Sequence, residues 1–170
     1  MTRPVDSEYS PLAHRYVSLV PESDILSVLE EQLEILSGLS SRVARQKETF
    51  AYAPGKWTVR QVVGHIGDVE RVLGFRAFSF SRSNKAALPG FDEDEYVQSA
   101  SFHVTPLLDL LDDFRLLRQS NLRMFRSLGD TQWAAGGVAN ANPVTVRALA
   151  YIMAGHVRHH LVVLRDRYGV

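Results

Sequence analysis

The 170-residue sequence contains no cysteine. That absence excludes a disulfide framework, a thiolate nucleophile and any sulfur-ligated zinc or iron site, so a metal bound here must take nitrogen and oxygen donors. Charge of one sign is also missing: 19 lysines and arginines balance 19 aspartates and glutamates. No overall field exists to draw a polyanion or an anionic membrane surface, and nucleic acid is not an expected partner. No uninterrupted apolar run is long enough to span a bilayer. The opening Met1-Thr2-Arg3-Pro4-Val5-Asp6-Ser7 lacks the basic stretch and apolar run of a secretory signal, so the expectation is a cytoplasmic protein with no membrane partner. What is present is 45% hydrophobic content, enough to build one core without disulfides, and one domain over 1–170 is expected.

The chain carries no internal repeat and no low-complexity segment. Residues 1–21, with Pro4, Ser7, Ser10 and Pro11, show no sustained period and read as an N-terminal arm lying on the rest. From Ile25 the positions Ile25, Leu29, Leu33, Leu36 and Val43 follow helical spacing and end in the basic stretch Arg42 to Lys47. A second helix starts at Thr58, where Thr58 and Gln61 form a capping box and Trp57 and Val62 a hydrophobic staple. Its stripe runs through Val62, Ile66, Val69, Leu73 and Ala77 to Phe80. From Ser83 to Thr105 neither a helical nor a strand period is found, although Pro89-Gly90-Phe91 and the acidic run Asp92 to Glu95 sit there. A connection of this length can travel the full length of a bundle and restart in the same direction, so helices two and three are expected to be parallel. Thr105-Pro106 is read as cap and first turn of helix three, with the stripe Leu107, Leu111, Phe114, Leu117, Phe125 and Leu128, ended by Gly129-Asp130. Helix four is capped by Asn142-Pro143 or Thr145 and runs to about Tyr168. No β-hairpin signal is found. Four long amphipathic helices predict an all-α four-helix bundle.

At about 100° per residue, His156 and His160 fall in one stripe with Leu149, Ile152 and Val163. Their separation of four residues stacks the two rings about 6 Å apart along the axis, so that one ion can accept a nitrogen from each. His65, three residues after Val62 and four before Val69, points inward from helix two. A lone inward histidine is ordinarily a hydrogen-bonded core residue, but three neutral imidazoles converging without a partner make a poor core. A divalent cation resolves that cost. His159 falls at the edge of the stripe.

These residues also carry a family likeness. Lys56-Trp57-Thr58-Val59-Arg60-Gln61-Val62-Val63-Gly64-His65, the segment Leu88-Pro89-Gly90-Phe91-Asp92 and the terminal His156-Val157-Arg158-His159-His160 resemble the DinB-like superfamily. Those metal-binding bundles include bacillithiol and mycothiol transferases. The resemblance covers most of the chain and implies an up-down-down-up bundle, with the metal ligands at His65, His156 and His160. It also implies that Asp68 stands at a recurring acidic position behind the ligands. It carries no substrate.

Three histidines leave a coordination position open for an outside molecule, the arrangement of a catalytic ion. A Lewis-acidic ion there activates water or a thiol, so both hydrolysis and thiol transfer fit. Zinc, nickel and iron(II) all suit the nitrogen set. Arg76, eleven residues after His65, returns to nearly the same face and is a candidate for binding a substrate carboxylate; the competing reading is a snorkelling arginine in a surface pair. Asn121 interrupts the stripe of helix three, either to orient a ligand or as a satisfied polar core residue. Trp133 and Tyr151 are read as packing, and the acidic run as a solvated loop or a lid. The expectation is a metal-dependent enzyme moving a low-molecular-weight thiol onto an electrophile, or a metal-dependent hydrolase. The alternative is a non-catalytic, metal-stabilised binding or stress-response bundle. Exposed Val162 next to Val163 points to a homodimer.

Overall fold

The computed structural model describes residues 2–170. Four long helical pieces form the bundle: α2 (Ile25–Ser37), α4 (Val59–Ser81), α6 (Leu107–Arg126) and α8 (Val146–Val163). Between and before them lie the short helices α1 (His14–Val17), α3 (Leu39–Arg42), α5 (Glu93–Ser99) and α7 (Asp130–Ala134), and the strands β1 (Gly136–Ala139) and β2 (Asn142–Thr145). The start of α4 is set by its capping box: the Gln61 amide donates to Thr58 Oγ1 while Gln61 Oε1 accepts from the Thr58 amide at 2.9 Å. Asp24 caps α2 by accepting from the Ser27 amide, and Thr145 caps α8 by accepting from the Ala148 amide. The chain of α2 is interrupted at Gly38 and continues as α3, and the basic stretch beyond forms a 3₁₀ turn, Arg45–Lys47.

Helix α4 packs on α6 and α8, and α2 packs on the same two, so α2 and α4 stand diagonally across the bundle. The buried apolar residues form two clusters. One joins the start of α2 (Ile25, Leu29), the end of α4 (Leu73, Phe80), the end of α6 (Leu122, Phe125) and the start of α8 (Leu149, Met153). The other joins Leu36 and Leu39 with Val62 and Ile66, Leu107 and Phe114, and Val157 and Leu164. The pairing of starts with ends is that of an up-down-down-up bundle, with α4 and α6 parallel. Between the clusters lies a buried polar layer. Arg118 makes a two-pronged ion pair with Glu70 (2.8 and 2.9 Å), and also donates to Gln32 Oε1 and the Leu29 carbonyl. Gln32 in turn donates to the Ala154 carbonyl at 2.8 Å, tying α2 and α6 to α8 two residues before His156.

The connections depart from expectation in three places. A hairpin pairs β1 with β2 in antiparallel register, Gly136 opposite Thr145 and Ala139 opposite Asn142. Its two turn residues, Asn140 and Ala141, have φ of 51° and 60°, the left-handed pair that two-residue hairpins require. The strands are short and rich in small residues, and Ala141 stands where glycine is usual, so neither alternation nor turn chemistry announced them. Asn142 and Pro143 are therefore strand residues and not the cap of α8. In the long connection the acidic run is the first turn of α5, whose N-cap Asp92 accepts from the Glu95 amide at 2.9 Å; acidic side chains favour a helix N-terminus. At α6 the capping position is Pro106 and not Thr105, which instead donates to the Ser101 carbonyl. Glu48 reaches across from another segment to accept from the Leu107 amide.

The N-terminal arm is strapped along α8. Glu8 pairs with Arg147, Glu22 with Arg158, and α1 packs on α8 between them. Gly155 permits the contact: a Cβ there would lie 2.0 Å from the Tyr16 carbonyl oxygen. No described helix is long and apolar enough to cross a membrane.

Candidate metal centre

His65 lies two turns into α4 and His156 and His160 one turn apart on α8, and the antiparallel packing of these helices brings the three together. The Nε2 of His156 stands 3.0 Å from that of His65 and 3.1 Å from that of His160. His65 and His156 are buried and His160 partly so. Burial pushes the His65 pKa down to about 4, with Asp94 acting in the opposite sense. Burial and the neighbouring histidines take His160 to about 3 and His156 well below its usual value. All three rings are neutral at neutral pH and offer lone pairs.

The cluster cannot satisfy itself by hydrogen bonding. The lone pair of one imidazole nitrogen accepts one in-plane proton, whereas His156 Nε2 meets two neighbouring nitrogens. The buried His160 Nδ1 has no partner among the described residues. A cation with metal–nitrogen distances of about 2.0–2.1 Å sets its tetrahedral ligands roughly 3.3 Å apart, close to the spacing seen. The three residues therefore fit a divalent ion, and no described carboxylate joins the group.

Aromatic rings wall the cluster. Trp57, from the staple before α4, lies 4.8 Å from the His65 ring, and Tyr16 of the arm meets His156 edge-on at 5.4 Å. Two openings lead in. One cavity of about 240 Å³ reaches His156 between the arm, α4, α8 and the hairpin; another of about 310 Å³, lined by Trp57, Asp94, His159 and Tyr168, reaches His160. The cluster is thus reachable from outside.

The other candidates fall in different places. Asp68 is half-buried and paired with Arg71 at 3.8 Å; its carboxyl is raised by burial, and it makes no hydrogen bond to any of the three imidazoles. His159 is exposed at the rim, beside Tyr16 and His160. Asn121 donates to Glu70 Oε1 at 2.8 Å and belongs to the polar layer. Arg76 is in no surface pair: it is buried, lines the cavity that reaches His156, and donates to the Pro89 carbonyl at 2.7 Å. Trp133 stacks on Phe125, and the Tyr151 hydroxyl donates to the Glu22 carbonyl. Sequence reasoning missed Tyr16, which reaches the site from a segment without a period, and took Asp94 only as part of the acidic run read as a solvated loop or a lid. It also missed Glu70 and Arg118, whose charge reads as surface.

The family model of the DinB superfamily matches residues 28–164. Among solved structures, the chain is similar to YfiT from Bacillus subtilis, described as "a probable metal-dependent hydrolase with an unusual four-helix bundle topology". The likeness has a TM-score of 0.76 at 21% identity and covers 98% of this chain and 93% of that one. No curated protein matches significantly in sequence.

Proposed function

Because the chain belongs to the DinB superfamily, we propose that it is a divalent-metal-dependent enzyme acting on a small molecule, transferring a low-molecular-weight thiol to an electrophile. The observation that carries this reading is the convergence of three neutral, buried imidazole nitrogens at the inner end of two cavities. His65, His156 and His160 hold the cation. A bound zinc, nickel or iron(II) ion supplies Lewis acidity, which makes a thiol or water nucleophilic near neutral pH. The absence of cysteine requires the thiol to come from outside the chain. Trp57 and Tyr16 pack against His65 and His156 and cover part of the imidazole surface, which strengthens polar interactions there. Asp94 lines the second cavity together with His159 and His160 and sets a carboxylate beside the approach to the cluster. Burial raises the Tyr16 phenol, so it stays protonated.

Hydrolysis is the second reading, favoured by the description of YfiT. The test is turnover by protein loaded in turn with zinc, nickel and iron(II). It is assayed against thiols paired with electrophiles, and against simple esters and amides. Metal-dependent conjugation that disappears in His160→Ala supports thiol transfer, and metal-dependent cleavage without conjugation selects hydrolysis. Loaded protein with no turnover on either panel, yet stabilised by the metal, refutes both in favour of a non-catalytic bundle.

A further inference from the structure

Arg76 is a charge that the bundle leaves unanswered. The residue is 9% exposed, and its hydrogen-bond partner is a neutral carbonyl, that of Pro89. The contrast with Arg118 is direct, since that buried guanidinium is matched by the Glu70 carboxylate. A guanidinium stays charged when buried, and an unpaired buried cation is costly unless something completes it.

The surroundings of Arg76 say what would. It lines the same cavity as His156. From the imidazole end the walls continue along α4 through Val69 and Leu73 to Arg76, and along α8 through Ile152 to Leu149. The seven residues from His156 to Leu149 correspond to about 10 Å of helix. The cavity is therefore elongated, with His156 at one end, the Arg76 guanidinium at the other and aliphatic side chains of α4 and α8 between. One planar guanidinium matches one carboxylate. Arg15 and Glu93, also on the lining, carry opposite charges that offset one another, so Arg76 leaves the cavity with one net positive charge.

We infer that this cavity takes an elongated monocarboxylate with an apolar body, its carboxylate paired with Arg76 and its reacting end beside His156. This deepens the metal-enzyme reading and rests on it for the identity of the reacting end. Binding energy from the remote carboxylate then holds the reacting bond in register with the cation.

The probes are hexanoate and hexanamide, which differ in charge at nearly constant shape. They are titrated by calorimetry and by NMR into wild-type protein and Arg76→Gln, both incubated with zinc, and into His160→Ala, in which the cation site is broken. Hexanoate is expected to bind wild type and His160→Ala alike, and Arg76→Gln about tenfold or more weakly. Hexanamide is expected to bind all three weakly. Equal binding of hexanoate and hexanamide by wild type overturns the proposal whether or not the variants fold, as does hexanoate binding that survives in Arg76→Gln but is lost in His160→Ala. Zinc content, measured on the same samples, reads the metal site separately. Hexanoate selectivity without zinc would leave the carboxylate pocket standing and the metal reading fallen; zinc without that selectivity would do the reverse.

Discussion

The imidazole of His156 is flanked by two others, and its neighbours on α8 and α4 stand within hydrogen-bond distance of the same nitrogen. That placement was legible in the sequence because helical geometry is nearly deterministic: a separation of four on an apolar stripe stacks two rings. Arg118 was illegible for the opposite reason, since an isolated arginine is ordinarily solvated and only the tertiary pairing with Glu70 buries it. Arg76 lay between: its angle on the helix could be read, but a surface pair competed, and its depth depends on the Pro89 segment folding over it. The depressed histidine pKa values carry a consequence for metal-free protein. The unfolded chain takes up protons near pH 6.5, whereas the folded one holds His65 and His160 neutral down to about 4 and 3. The unfolded state therefore binds more protons in this window, and stability falls as pH is lowered from about 6.5 toward 4. Urea midpoints of metal-free protein across that range check this. His160→Ala is expected to flatten the slope, and an unchanged slope would contradict the assignment.

At the level of elements, the four long helices were readable from period, and the entry of α4 from its capping box, whereas the pieces between them were not. Helix α5 has too few turns to show a period, and the hairpin lacks β-branched alternation and a glycine at Ala141. Both are stabilised by what they pack on: the Leu88 amide donates to the Val138 carbonyl and its own carbonyl accepts from the Asn140 amide, pinning the connection to the hairpin. Thr58 governs the entry of α4 and hence the height of His65. Thr58→Ala is expected to cost about 1 kcal/mol of stability in denaturant unfolding. Gly155 governs the arm. A methyl group there collides with the Tyr16 backbone, so Gly155→Ala is expected to lift the segment around Tyr16 from α8. Hydrogen exchange would show this as lost protection in residues 14–20 with the bundle helices retaining theirs; an unchanged arm would contradict the close approach.

For the whole molecule, the buried polar layer and the histidine cluster are neighbouring departures from an apolar core. The layer joins three of the four helices and, through Gln32 and the Ala154 carbonyl, reaches the helix that bears two of the imidazoles. Arg118→Met leaves the Glu70 carboxylate buried without its partner and is expected to cost about 3–5 kcal/mol. Adding Glu70→Leu should restore much of that loss, as read from chemical unfolding. A single substitution that costs nothing would mean the pair is not buried in solution. The histidine cluster is the departure on which the proposed function rests, and its test is direct. Metal content by elemental analysis, on protein purified without added metal and again after incubation with zinc, nickel or iron(II), is expected to show about one divalent cation per chain, in keeping with a three-imidazole site. His65→Ala, His156→Ala and His160→Ala should each lose it. Folded wild-type protein that retains no cation after any of these incubations, or variants that hold as much as wild type, would contradict a metal centre at this position.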